Sequence, residues 1–234
     1  EKAAGNSSEK SLARAAAAKA YERYVKQFPE PLEPAIEARF RLTRLAKDDA
    51  NPARELALWK EIFQVERAAG KSRTERTKTV GAMAALALTE PALEAYRKVA
   101  LIEPLQKQLK LKKTRMEEVM KAYGVASEYG VAEITTAATF HTAALYRDFG
   151  KALMNSQRPK KLSKVEVEQY NVMLEEQAFP FEEKAAEIHE LNARRTAEGH
   201  YDKWIKNSFA ELGELRPVRY HKAERSEVTI DAIR

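Results

Sequence analysis

Four histidines, His141, His189, His200 and His221, are the imidazoles of this chain, and it has no cysteine. A helical metal site needs two ligands on one face, three or four residues apart. Each histidine here lies at least eleven residues from the next, and no HExxH is present. His189 has Glu187 and Glu190 beside it, but the helical di-metal motif needs its Glu three residues before the His. His189 therefore reads as an ordinary interfacial or surface histidine. Without cysteine, disulfides, thiolate zinc, iron–sulfur clusters and thiol nucleophiles fall away together. Glu182, Glu183, Glu187 and Glu190 stand about a turn apart and could in principle work as acid and base. Acids early in a helix that begins at Pro180, with Lys184 and Arg194 close by, fit a solvated face that complements the helix dipole. There is no Gly-rich phosphate loop, no GxSxG and no supported Ser/His/Asp set. No residue is assigned a catalytic, cofactor-binding or metal-ligating role, and the chain is expected to be non-enzymatic.

Charge is more distinctive. The segment QKQLKLKKTRM places Lys107, Lys110, Lys112, Lys113 and Arg115 together without an acid, a candidate partner-binding face set against Leu105, Leu109 and Met116. Its alternative is a solvated helix surface. Arg158, Lys160, Lys161 and Lys164 form a second basic cluster. Nucleic acid is disfavoured, because no aromatic platform or recognition motif accompanies either cluster. Residues 1–117 carry 24 basic and 16 acidic side chains, and residues 118–234 carry 17 and 19. The basic first half points to an acidic protein or peptide partner.

The elements that must hold these groups are helices. Of 234 residues, 39 are alanine and only 8 glycine, a balance that favours helix. No segment approaches the ~20 apolar residues that span a bilayer. Periodicity and Pro/Gly punctuation predict helices over 8–28, 35–47, about 56–69, 72–88, 91–103, 104–123, 131–156, 163–178, 181–198 and 201–214. Ser8 is an expected cap, Gly70 an expected stop, and Ser163 with Glu166 a capping box. Residues from Arg216 onward read as a tail, whose Val228, Ile230 and Ile233 alternate as in a short strand. A start at Glu1, with no Met and no leader pattern, leads to the expectation of an excised part of a longer chain.

Aromatics at helical spacing (Tyr21, Tyr24, Phe28, Trp59, Phe63, Tyr96, Tyr201, Trp204, Phe209) are expected to pack between helices. Phe140, Tyr146 and Phe149 are assigned less simply, and one of them could reach a partner or another copy of the chain. Ala17, Tyr21, Tyr24 and Pro29 stand at spacings of four, three and five; Ala92, Tyr96, Val99 and Pro104 repeat them, as do Ile205, Phe209, Leu212 and Pro217. A small residue lets two helices approach, a bulky one fills the next gap, and Pro turns the chain.

In AKAYERYVKQFP and ALEAYRKVALIEP the sequence resembles the second helices of the tetratricopeptide repeat (TPR) family, whose period is 34 residues. Trp59 follows Tyr21 by 38 residues and Tyr96 follows Trp59 by 37. The first helices lack the family's Trp, Leu-Gly and Tyr marks. The stretches EEQAFPFEEKAAEIHELNARR and GHYDKWIKNSFAELGELRPVRY are similar to the end of large bacterial repeat proteins associated with gliding motility or with TonB, ExbB and ExbD systems. The resemblance implies an all-α solenoid of antiparallel helix pairs, with irregular long helices in its middle, acting as a scaffold in a bacterial cell envelope, in the periplasm, with the cytoplasm left open. The expected divisions are TPR-like pairs over 1–104, a long irregular pair over 105–160, C-terminal helices over 161–217 and a tail over 218–234. A homo-oligomer stays open. The alternatives are polyanion binding through the 107–115 face and a helical enzyme domain with an unrecognised site.

Overall fold

The computed structural model describes residues 2–221, and every regular element among them is helical. Ten α-helices follow in order: α1 (Lys2–Gln27), α2 (Leu32–Asp48), α3 (Pro52–Ala68), α4 (Glu75–Ala87), α5 (Glu90–Arg97), α6 (Leu105–Ser127), α7 (Ala132–Met154), α8 (Lys164–Arg194), α9 (Lys203–Leu215) and α10 (Pro217–Tyr220). Local chemistry sets most ends. Asn51 accepts from the Arg54 N–H ahead of α3, and Pro52 occupies its first turn, where its missing N–H costs nothing. Thr74 with Thr77, and Ser163 with Glu166, form capping boxes for α4 and α8. Asp202 accepts from the N–H groups of Trp204 and Ile205 to start α9. Gly70, Gly130 and Gly199 take positive φ just past helices, the conformation only glycine adopts freely.

The chain groups into two compact units that divide between Ala138 and Thr139, within α7 and within the stretch 105–160. In the first unit, α1 packs on α2, α2 on α3 and on α4, α3 on α4, α4 on α6, and α5 on α6. Leu32, Ile36, Ile62, Val80 and Ala84 form one core cluster, with Phe40, Trp59 and Phe63 partly buried against it. A second joins Ala82 and Ala85 to Ala126 and Ile134. The run Gly81–Ala85 keeps α4 thin, so it can touch three other helices. In the second unit α8 packs on α9, with Ala186, Ala193 and Leu212 at the centre and Phe209, Leu215 and Tyr220 around them.

Several expectations are corrected. α1 begins at Lys2, so the helix does not start at Ser8. α4 starts at Glu75, because a 3-10 turn over Gly70–Ser72 precedes it and Thr74 supplies the cap. α5 ends at Arg97, so Val99 of the repeated spacing lies beyond it. α6 passes through Gly124 to Ser127. The predicted helices 163–178 and 181–198 are one 31-residue helix through Pro180. Leu174 and Ala178 before the proline and Ala185 and Ala186 after it are buried, and packing on both sides outweighs the missing N–H and the ring's crowding of the preceding turn. Arg216 onward is not all tail: Pro217–Tyr220 forms a helical turn, with Tyr220 against Phe209 at a centroid distance of 6.1 Å. The alternating Val228, Ile230 and Ile233 lie outside the described residues.

Aromatic positions divide unevenly. Tyr96 and Phe149 are fully buried. Phe149 stacks on Phe181 at 4.5 Å, and Phe140 meets His189 and Trp204 at 5.3 and 5.4 Å. Tyr146 faces Phe181 at 6.4 Å. All three α7 aromatics thus have neighbours in their own chain. Phe28 and Tyr201, expected inside, are exposed, since each lies just beyond a helix end.

Candidate functional site

The basic run of α6 is split by the turn of the helix. Lys107, Lys110 and Lys113 are exposed, and Arg115 pairs with Glu118 at 2.7 Å. Lys112 leaves that face: it is buried, its Nζ donates to the carbonyls of Val99 and Tyr96 at 2.9 and 3.2 Å, and it stands 4.1 Å from the Tyr96 ring centroid. The cation adds a second donor to the Tyr96 carbonyl, which also accepts from the Val99 N–H, and caps the Val99 carbonyl just past the end of α5. The signal was present in the sequence: Leu105, Leu109, Lys112, Met116, Val119 and Tyr123 follow one helical stripe, so Lys112 sits at an inward position.

In the second cluster Arg158 is also structural. It donates to Asn171 Oδ1 at 2.8 Å and to the carbonyls of Met154 and Ser156 at 2.8 and 2.5 Å, closing the end of α7 against α8. Lys160, Lys161 and Lys164 are exposed. Of the two basic clusters, Lys107, Lys110 and Lys113 in the first and Lys160, Lys161 and Lys164 in the second are exposed.

Among the grooves of the first unit, two have mainly apolar linings. One, of about 630 Å³, is walled by Tyr21 and Tyr24 of α1, Pro34, Glu37 and Arg41 of α2, and Arg76 of α4. Arg76 makes an ion pair with Glu37, which raises the pKa of the guanidinium, and lies 5.7 Å over Phe40. Arg41 is exposed. The two tyrosines, expected to pack between helices, are half-buried and form one wall of the groove. Aromatic faces beside cationic heads suit an extended segment that carries carboxylates and apolar side chains. The second groove, of about 440 Å³, is lined by Leu56, Trp59 and Pro91 together with Glu55, Glu90 and Glu94.

Five of the buried polar side chains, Glu66, His189, Glu190, Asn192 and Ser208, belong to three networks that the sequence did not predict. Glu66 of α3 is fully buried. Its Oε1 accepts from Arg73 at 2.5 Å, and its Oε2 accepts from Tyr129 at 2.9 Å and from Arg73 at 3.2 Å. Burial, and then the hydrogen bond to the Glu66 carboxylate, raise the pKa of Tyr129, while that carboxylate raises the pKa of Arg73. Gly81 makes the space: a Cβ there would meet Glu66 Oε2 at 2.8 Å and Tyr129 at 2.9 Å. A glycine inside an otherwise alanine-rich helix was the readable signal.

His189, expected at an interface or on the surface, is fully buried. Its Nδ1 lies 3.2 Å from Ser208 Oγ, which also accepts from Asn192 at 3.0 Å, and its Nε2 finds no hydrogen-bond partner among the described residues. Burial, helped by the nearby charge of Arg147, pushes its pKa down to about 4. In the third network Glu190, nearly buried, accepts from Arg216 at 2.7 Å and from Arg219 and Tyr220 at 3.4 and 3.3 Å, and Arg216 also reaches Glu183 at 3.1 Å. Lys184 pairs with Glu187 at 2.9 Å. The solvated-face reading thus fits Glu187 and fails for Glu190, whose carboxylate anchors the turn after α9. Among the described residues, no group of three or more His, Cys, Asp or Glu side chains could hold a metal ion, and no helix is long and apolar enough to cross a membrane.

No family model matches the sequence, and no curated protein or solved structure matches it.

Proposed function

We propose that this chain is a non-enzymatic scaffold of helical-repeat type, TPR-like in construction, that binds an acidic segment of a protein partner. The observation that carries the reading is the groove of about 630 Å³ between α1, α2 and α4, whose lining includes Tyr21, Tyr24, Arg41 and Arg76. Helices that are neighbours in sequence pack on one another from α1 to α4, which supports a solenoid whose surface is held rigid by its own stacking. An extended peptide with a carboxylate near Arg41 and an apolar side chain against the tyrosines would use this surface without any chemical step. A place in a bacterial envelope assembly, in the periplasm, belongs to the same proposal and rests on the C-terminal resemblance alone.

Panning a random peptide library against the purified chain tests it. Recovered peptides should combine acids with aromatic or aliphatic residues, and Y24A/R41E should weaken them at least about tenfold with unchanged circular dichroism. Peptides without acidic enrichment, or binding indifferent to that variant, would refute the groove. Tight binding of single-stranded nucleic acid that is lost in K107E/K110E/K113E would replace the scaffold reading by the polyanion alternative.

A further inference from the structure

The first half of α8 is apolar on two opposite faces. Its inner face holds Leu174 and Ala178, both buried. Its outer face carries Val165, Val172 and Phe179, which are 62%, 53% and 61% exposed, with Met173 beside them at 38%. Single exposed apolar side chains are ordinary on protein surfaces. These three are spaced by seven residues, so they align along one side of the helix for about 21 Å, roughly 160° around the axis from Leu174. A helix with apolar stripes on both sides is built to be covered on both sides.

What covers the outer stripe is indicated by its borders. Within about 60° of it lie Glu168, Glu175 and Glu176, all exposed. Residues 165–183 contain six glutamates and no lysine, arginine or histidine, in a chain whose formal net charge is +6. Exposed Glu182 continues the acidic border past Phe179. Two copies of this stripe facing each other would set carboxylates against carboxylates, which opposes self-pairing. A helix with an apolar seam bordered by lysine and arginine would meet complementary charge at Glu168, Glu175 and Glu176.

We propose that the outer face of α8, centred on Val172, is a docking site for a basic amphipathic helix of a partner protein. The partner's apolar seam lies along Val165, Val172 and Phe179, and its cations pair with Glu168, Glu175 and Glu176. The surface shares no residue with the groove assigned to an acidic segment, takes the opposite charge, and stands whether or not that groove binds anything.

The probe is a fluorescent synthetic amphipathic helix of about three heptads, with Leu at the seam and Lys at its borders, titrated into the full chain by anisotropy. Two controls accompany it: the same helix with Glu at the borders, and a peptide of the same composition with the seam scrambled. The Lys helix should bind and both controls should not. V172S/F179S and, separately, E168Q/E175Q/E176Q should each weaken binding about tenfold or more, and affinity should fall as salt rises. All substituted side chains are exposed, so the variants keep the fold, which circular dichroism checks. No binding, equal binding of either control, or binding indifferent to both variants overturns the proposal. So does concentration-dependent self-association by sedimentation that V172S/F179S abolishes, because a second copy would then be the occupant.

Discussion

Replacing Gly81 by alanine puts two physical effects in direct opposition. Gly81 lies inside α4, and helix propensity alone predicts that alanine stabilises by about 1 kcal/mol. The surroundings predict the reverse. The new methyl would stand 2.8 Å from Glu66 Oε2, 2.9 Å from Glu66 Cδ and 2.9 Å from Tyr129 Cε1, well inside contact distance. The carboxylate has little room to retreat, since Arg73 holds both oxygens and Tyr129 one of them. Overpacking of a tight interior costs about 1–3 kcal/mol, and a buried charge that loses partners costs about 3–5 kcal/mol. Partial relaxation and the propensity gain leave an expected net loss of about 2–3 kcal/mol. Urea unfolding followed by Trp59 fluorescence in a W204F background reports on the unit that contains Gly81, and the midpoint of G81A should fall by about 1 M. Removing the carboxylate in E66A should shrink the effect of G81A by more than about 1 kcal/mol in a double-mutant cycle. A G81A protein as stable as the parent, or more so, would refute the reading that Gly81 exists to admit the Glu66 carboxylate.

Other outcomes follow from the same geometry. His189 stays neutral in the fold with a pKa near 4, whereas an unfolded histidine takes its proton near 6.5. Its stabilisation is therefore complete above about pH 6.5 and is lost as pH falls towards 4, by about 3 kcal/mol in all; H189Q should flatten that part of a stability–pH profile measured by urea unfolding. Lys112→Met keeps the aliphatic stem but removes the donor to the Tyr96 and Val99 carbonyls, and should cost about 2 kcal/mol, against less than about 0.5 kcal/mol for exposed Lys113→Met. If the two variants melt alike, Lys112 is not a cap for α5.

The helical class was legible in the sequence because alanine content, Pro and Gly positions, and side-chain oxygens at caps act over a few residues. Ser163 with Glu166 formed the expected capping box, and Gly70 closed α3 in the left-handed conformation. Those interactions need no partner from elsewhere in the chain. Pro180 marks where local rules stop sufficing: it breaks a helix by local rules, yet α8 continues through it, held by buried residues before and after the proline. The candidate site was legible only in part for the same reason. Lys107, Lys110 and Lys113 face solvent as their spacing suggested, whereas Lys112 turns inward to carbonyls 13 and 16 residues away. Tyr21 and Tyr24 have the spacing of core residues, and only the placement of Arg41 and Arg76 in the same lining makes a groove wall. The sequence alone determined which segments coil, how their charge is distributed and which metal and thiol chemistries it lacks ligands for. Tertiary structure decided which charges are buried and which grooves exist, because burial depends on residues such as Glu66, Gly81 and Tyr129 meeting across tens of positions, and no local pattern encodes that meeting.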